Sequence, residues 1–232
     1  MRIGPNELAF NTAQAFRDIY GSAPGRAPFS KDRAHYVYPP NGVDHLVSAV
    51  DDATHARHRK LLSPAFSSRS MKEQEPLIVQ HVDLLVSKLR ERIAIGEGNA
   101  KLDLKSWFNF TTFDITGDLM FGEPFNCLNQ SELHPWIDLI FNSIKALSFM
   151  GAVNQFPWIN ALLMSLVPKS VLQKGLDHFN LGAEKVDRRL EITTVRPDFI
   201  SAMLKNGMEE PGKGGSKAMT LSRDELHSDA FM

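Results

Sequence analysis

Residues 105–121 carry Trp107, Phe108, Phe110, Phe113, Ile115 and Leu119 with no proline until Pro124. At about 100° of turn per residue these side chains point to every side of a helix, so no face of it is suited to water. Such a helix has to sit inside a protein, and it needs other helices around it. The rest of the chain supplies them. Ile78, Val82, Leu85 and Leu89 are spaced four, three and four apart and form one stripe. Ile137, Ile140, Ile144 and Leu147 mark a helix over 135–150. Leu172, Leu176, Phe179, Ala183, Val186 and Leu190 mark the longest, over 169–193. The expected fold class is mainly α.

Local signals set the boundaries. Arg2 to Phe10 reads as a short β segment with a turn at Gly4-Pro5, and Asn11-Thr12 is placed to cap a short helix that ends near Gly21. Residues 21–44, with Pro24, Pro28, Pro39 and Pro40, read as a long loop. Asp51 or Asp52 opens a helix that runs to about Leu62, where Ser63-Pro64 disturbs it. Gly122-Glu123-Pro124 ends the aromatic helix, 158–167 is short and apolar, and a short helix follows Pro197. Residues 206–219 read as a flexible loop, and Ser222 with Glu225 forms a capping box that starts a last helix. The helices and the short β segment read as one assembly over residues 1–232.

Several function classes are disfavoured. Lys+Arg 26 against Asp+Glu 27 leaves a net charge of -1, without the basic excess of a nucleic-acid binder. One cysteine, Cys127, cannot form an intrachain disulfide, and no disulfide-linked partner is expected. No adjacent base or cation activates it as a nucleophile. No apolar run resembles a signal peptide or a membrane span, so the chain as written is expected to be cytoplasmic. Gly207, Gly212 and Lys213 are spaced like a phosphate-binding loop, but Gly214 stands where Ser or Thr would hold Mg²⁺. His55, His58 and His81 lack metal-ligand spacing, so no metal ligand and no catalytic residue is assigned.

One constellation remains, Asp51 to Ser67. His55 and Arg59 are four apart and so share a helix face. An imidazole N–H beside a guanidinium fork suits a carboxylate. That carboxylate can belong to a ligand or to the protein itself, and a solvated basic helix face is the plainer alternative.

This stretch, His55-x-x-x-Arg59 followed by Leu61-Leu62-Ser63-Pro64-Ala65-Phe66-Ser67, resembles helix C of the cytochrome P-450 family, haem-thiolate monooxygenases, in members from filamentous-fungal secondary metabolism. Arg2 to Leu8 resembles the family's first strand region, and Trp107 to Gly122 resembles helix E. Residues 169–193 resemble helix G, Asp198-Phe199 onward helix H, and Ser222 to Met232 the opening of helix I, with 206–219 as the loop between H and I. The resemblance implies the N-terminal portion of that fold, helices B to the start of I. It also implies haem as cofactor, with His55 and Arg59 on its propionates. The implied activity is oxygen insertion into an apolar metabolite, terpenoid or polyketide, with a reductase as redox partner. His35 to Val50 and Ile144 to Leu172 then resemble substrate-facing regions. Phe149, Met150, Phe156, Trp158 and Leu162 are expected to face substrate or a membrane surface, about half of them packing in the core instead.

The departures are as specific. No Glu has Arg three residues later, the oxygen-activating stretch of helix I is not in the sequence, and Glu123 and Phe125 stand before Cys127 where the iron-ligand loop has Gly and Arg. Family members are anchored in the endoplasmic reticulum, and no such anchor is present here. The chain is therefore expected to be truncated before its haem-thiolate cysteine, inactive as written, exposed in its apolar surface and weak in haem binding. The alternative is a non-catalytic remnant or a helical partner-binding protein.

Overall fold

The computed structural model of the chain describes residues 1–4, 7–21, 24–27, 29–33, 35, 36, 38–137, 139–141, 153, 156, 158, 161, 162, 165, 169–192, 196–204 and 220–231. Strands β1 (Arg2–Gly4) and β2 (Glu7–Leu8) pair antiparallel, Arg2 opposite Leu8. Helices follow: α1 (Ala13–Tyr20), α2 (Asp52–Leu62), α3 (Ser68–Ile95), α4 (Leu104–Phe121), α5 (Cys127–Gln130), α6 (Lys169–Glu191), α7 (Phe199–Met203) and α8 (Arg223–Phe231). A 3₁₀ turn, Ser63–Phe66, joins α2 to α3. The mainly α reading with a short β segment at the front is what the structure shows. Residues 135–137 and 139–141 are helical, while the remainder of the helix expected over 135–150, the loop 206–219 and its near-phosphate motif lie outside the described residues.

Short-range chemistry explains the helix ends. Thr12 accepts the Ala15 N–H at 3.2 Å, and Asp51 accepts the Thr54 N–H at 2.8 Å. Ser222 and Glu225 cap each other reciprocally, Glu225 N–H to Ser222 Oγ at 3.2 Å and Ser222 N–H to Glu225 Oε2 at 2.8 Å.

The aromatic helix α4 is central. Trp107, Phe110, Leu119 and Phe121 are buried, each fully buried large side chain contributing roughly 1.5–3 kcal/mol. Gly117 lets Phe125 approach, because a Cβ there would come within 2.9 Å of its ring. The helix is not apolar all round, however. Phe108, Thr112 and Thr116 form an exposed strip, and Asp114 and Asp118 are buried. Each acid has partners. Asp114 accepts the Cys127 and Leu128 N–H groups at 3.0 and 2.9 Å, holding the start of α5. Asp118 meets His81 Nε2 at 3.0 Å and pairs with Arg196.

Two stripes are displaced from their apolar spacing. On α3 the buried positions are Gln74, His81 and Leu85, while Val82 is 44% exposed. His81 takes the inward position because Asp118 waits there with a charge-assisted hydrogen bond. On α6, His178, Phe179, Val186 and Arg189 are buried and Leu176 is exposed. Trp136 donates its indole N–H to His178 Nδ1, and Arg189 reaches Asp198, so polar partners again decide the inward face. Phe156, Trp158 and Leu162 are exposed, while Phe149 and Met150 lie outside the described residues. Among the described residues, no helix is long and apolar enough to cross a membrane.

Candidate cofactor-binding site

Helix α2 sorts its basic side chains onto two sides. Asp51 caps its start through the N–H and hydroxyl of Thr54, and Ser63 Oγ closes its end on the Arg59 carbonyl at 2.5 Å. Arg57, His58 and Leu61 fall on the inward side, with His58 and Leu61 buried. His55 and Arg59 project from the other side, His55 half-buried and Arg59 exposed.

The inward pair, Arg57 and His58, is engaged by the protein's own carboxylates. Arg57 pairs with Glu225 and donates to the Thr220 carbonyl at 3.0 Å. His58 lies between two carboxylates of α8, with Nε2 3.7 Å from Glu225 and Nδ1 3.4 Å from Asp229. Glu225 and Asp229 are one helical turn apart, so both face α2. Burial pushes the Glu225 carboxyl up, but Arg57 and the Ser222 N–H together hold it below its ordinary value.

The outward pair is different. Among the described residues, no carboxylate forms an ion pair or hydrogen bond with His55 or Arg59. Burial first, then the positive charges of Lys31 and Arg59, hold the His55 imidazole below its ordinary pKa. Lys31 is itself fixed close by, donating to the Leu46 and Val47 carbonyls at 3.1 and 2.7 Å. Lys31 and Arg59 make the surroundings of His55 positive, and the Asp52 carboxylate in the first turn of α2 opposes them only in part.

Cys127 is fully buried, and burial pushes its thiol up. His58 and His81, weighed beside His55 as metal ligands, each face carboxylates of separate elements, Glu225 and Asp229 for one and Asp118 for the other.

A family model, Cytochrome P450, matches residues 13–230 of the chain. The chain belongs to the cytochrome P450 family. It is 42% identical over 216 residues to the cytochrome P450 monooxygenase astJ of Aspergillus oryzae (strain ATCC 42149 / RIB 40), covering 91% of this chain and 43% of that protein. It is 41% identical over 232 residues to the cytochrome P450 monooxygenase efuB of Hormonema carpetanum, covering 99% and 44%. It is 38% identical over 237 residues to the cytochrome P450 monooxygenase traB of Penicillium crustosum, covering 100% and 45%. The chain thus spans less than half the length of these curated P450 relatives.

Spacing alone put His55 and Arg59 on one face, and the structure keeps them there. The sequence reading passed over Arg57, Glu225 and Asp229. The signal was present in part, since Glu225 and Asp229 are spaced like His55 and Arg59, but nothing in the linear pattern says that the two helices face each other.

Proposed function

We propose that this chain supplies the carboxylate-binding part of a haem monooxygenase, with His55 and Arg59 holding the propionate arms of the cofactor. The observation that carries this is that the two sides of α2 differ in their carboxylate partners. Arg57 and His58 meet carboxylates of α8 at close range, whereas among the described residues His55 and Arg59, on the outer face beside Lys31, form no ion pair or hydrogen bond with one, and Asp52 acts on His55 only through its charge. An imidazole N–H and a guanidinium fork fit two carboxylates in number, charge and hydrogen-bonding sense.

The residues fit the carboxylate end of haem and not its iron. Cys127 is sealed in the core beside Asp114 with its thiol held protonated by burial, so it is no source of thiolate. In this reading the iron ligand is not among these 232 residues, and they are inactive without it. Haem with an axial thiolate supplies the oxygen chemistry when bound. The residues of this chain bind and orient: Arg59 and His55 neutralise the carboxylates, and Lys31 adds positive charge from the loop. Family membership, and relatives named as monooxygenases, support oxygen insertion with electrons from a reductase; in this reading the substrate is an apolar metabolite, terpenoid or polyketide.

Titration of the purified chain with haemin, followed by Soret absorbance, tests the reading. Arg59→Ala is expected to weaken binding roughly 10- to 100-fold, the loss of one charge-assisted contact. Unchanged affinity in both His55→Ala and Arg59→Ala would remove the proposal. A thiolate-type band in the ferrous–CO difference spectrum would overturn the assignment of Cys127.

A further inference from the structure

We propose that Asp229 is a positioning residue: its carboxylate sets the orientation of α2 and the place of Lys31, and through them the outward presentation of His55 and Arg59. This rests on the reading of His55 and Arg59 as the haem-carboxylate pair.

Helix α2 is 11 residues long and buries only His58 and Leu61. Apolar packing, here Leu61 with Leu62 partly buried beside it, fixes the rotation of a short helix about its axis less sharply than hydrogen bonds do, because apolar contact is non-directional. Hydrogen bonds are directional, and His58 sits three residues after His55 and one before Arg59, so whatever fixes the His58 ring fixes that face as well. Asp229 Oδ2 lies 3.4 Å from His58 Nδ1.

The other oxygen of the same carboxylate works on the preceding loop. Asp229 Oδ1 accepts the Leu46 N–H at 3.1 Å. The turn it holds is rigid in its own right. His45 Nδ1 accepts the Val47 and Ser48 N–H groups at 3.1 and 3.2 Å, Ser48 Oγ donates to Asp44 at 2.8 Å, and Arg33 clamps Asp44 at 3.0 and 2.9 Å. Lys31 is tied to the carbonyls of Leu46 and Val47. One carboxylate therefore anchors both the helix that carries His55 and Arg59 and the turn that holds Lys31.

Glu225 shares the hold on α2, through Arg57 and His58, but not the hold on the turn. Its carboxylate holds Arg57 and caps α8 through Ser222, and it makes no contact with the 45–48 turn among the described hydrogen bonds. α8 itself is braced from behind, where Asp187 of α6 takes both Arg223 and His227 at 2.7 Å. Asp229 thus pulls α2 and the turn against a fixed support.

The test is haemin titration of the full chain combined with residue-resolved hydrogen–deuterium exchange. Asp229→Ala is expected to weaken haemin binding about tenfold, and to raise exchange at Leu46 and across α2. Asp229→Asn keeps an acceptor for the Leu46 N–H and a hydrogen-bonding partner for His58, so it should recover most of the affinity. A general loss of stability would lower the melting temperature without that rescue. If Asp229→Ala does not fold, His58→Ala replaces it, and adding Asp229→Asn to His58→Ala should cost little more. If Arg59→Ala weakens haemin binding while Asp229→Ala changes neither affinity nor exchange, the positioning role is overturned and the haem reading stands. If neither His55→Ala nor Arg59→Ala affects haemin, the haem reading falls, and exchange alone decides: faster exchange at Leu46 and in α2 supports positioning, unchanged exchange overturns it.

Discussion

Arg189 of α6 and Asp198, which caps α7, form an ion pair that water hardly reaches, with Nε 2.7 Å from Oδ2 and side-chain exposures of 5% and 0%. The pair's other polar atoms are used as well. Asp198 Oδ1 accepts the Ser201 N–H at 2.8 Å, and the guanidinium also donates to Ser201 Oγ at 2.8 Å and the Ile192 carbonyl at 3.1 Å. Removing one partner leaves a buried charge unmatched. Arg189→Met is therefore expected to cost about 3–5 kcal/mol, read as a lower urea midpoint. Arg189→Met with Asp198→Asn should recover part of that loss, because the stranded charge is gone. A double variant less stable than Arg189→Met would contradict this account.

Asp114 holds two buried backbone N–H groups, those of Cys127 and Leu128. Asp114→Ala should cost about 1–3 kcal/mol for each donor left unpaired. The Cys127 thiol reports the same region. Raised by burial and shielded from solvent, it should resist iodoacetamide at pH 8 in the folded chain and react readily in urea. In Asp114→Ala the native-state reaction should speed up, measurable by mass spectrometry. Fast alkylation of the unaltered folded chain would count against the described packing.

Acidification should destabilise the chain in two stages. Burial holds His45, His134 and His178 below the ordinary 6.5, so the unfolded chain binds protons there before the folded one does. Their contribution is complete above about pH 6.5 and drains as pH falls toward the folded values. Burial pushes Glu123 up, but Lys185 and Arg188 outweigh it, and Glu225 is likewise held low by Arg57 after its burial is overcome. The carboxylate contribution is complete above about pH 4.5 and is lost below it. His178 ties this to a specific contact, since protonating Nδ1 removes the acceptor of the Trp136 indole N–H. Urea midpoints measured from pH 7.5 to 5.5 should fall, and His178→Gln should flatten the slope. A midpoint that climbs on acidification would refute the assignment.

Haemin affinity should carry the opposite pH dependence. His55 is held below its ordinary pKa in the free chain, by burial and then by Lys31 and Arg59. A bound carboxylate favours the imidazolium and raises that pKa, so binding takes up a proton. Affinity is then expected to strengthen between pH 7.5 and 6, and His55→Gln should abolish that increment. Fluorescence-quenching titrations at several pH values measure it, and an identical pH profile in the variant would sink the role of His55.

The helices and their ends were written locally. Asp51, Thr12 and the Ser222–Glu225 box act within one turn, the aromatic run of α4 demanded an interior position, and a spacing of four placed His55 and Arg59 on one face. Those signals are legible because the physics that sets them spans only a few residues. The pairings were not. His81 finds Asp118 at a separation of 37 residues, and Leu46 finds Asp229 at 183. Such contacts replaced Val82 by His81 on the inward stripe of α3, and they decided that Arg57 and His58, not His55 and Arg59, would meet the carboxylates of α8. A sequence states which groups can pair. Only packing, by bringing α8 against α2, decides which of them do, because a buried charge must find its partner wherever the fold has put one.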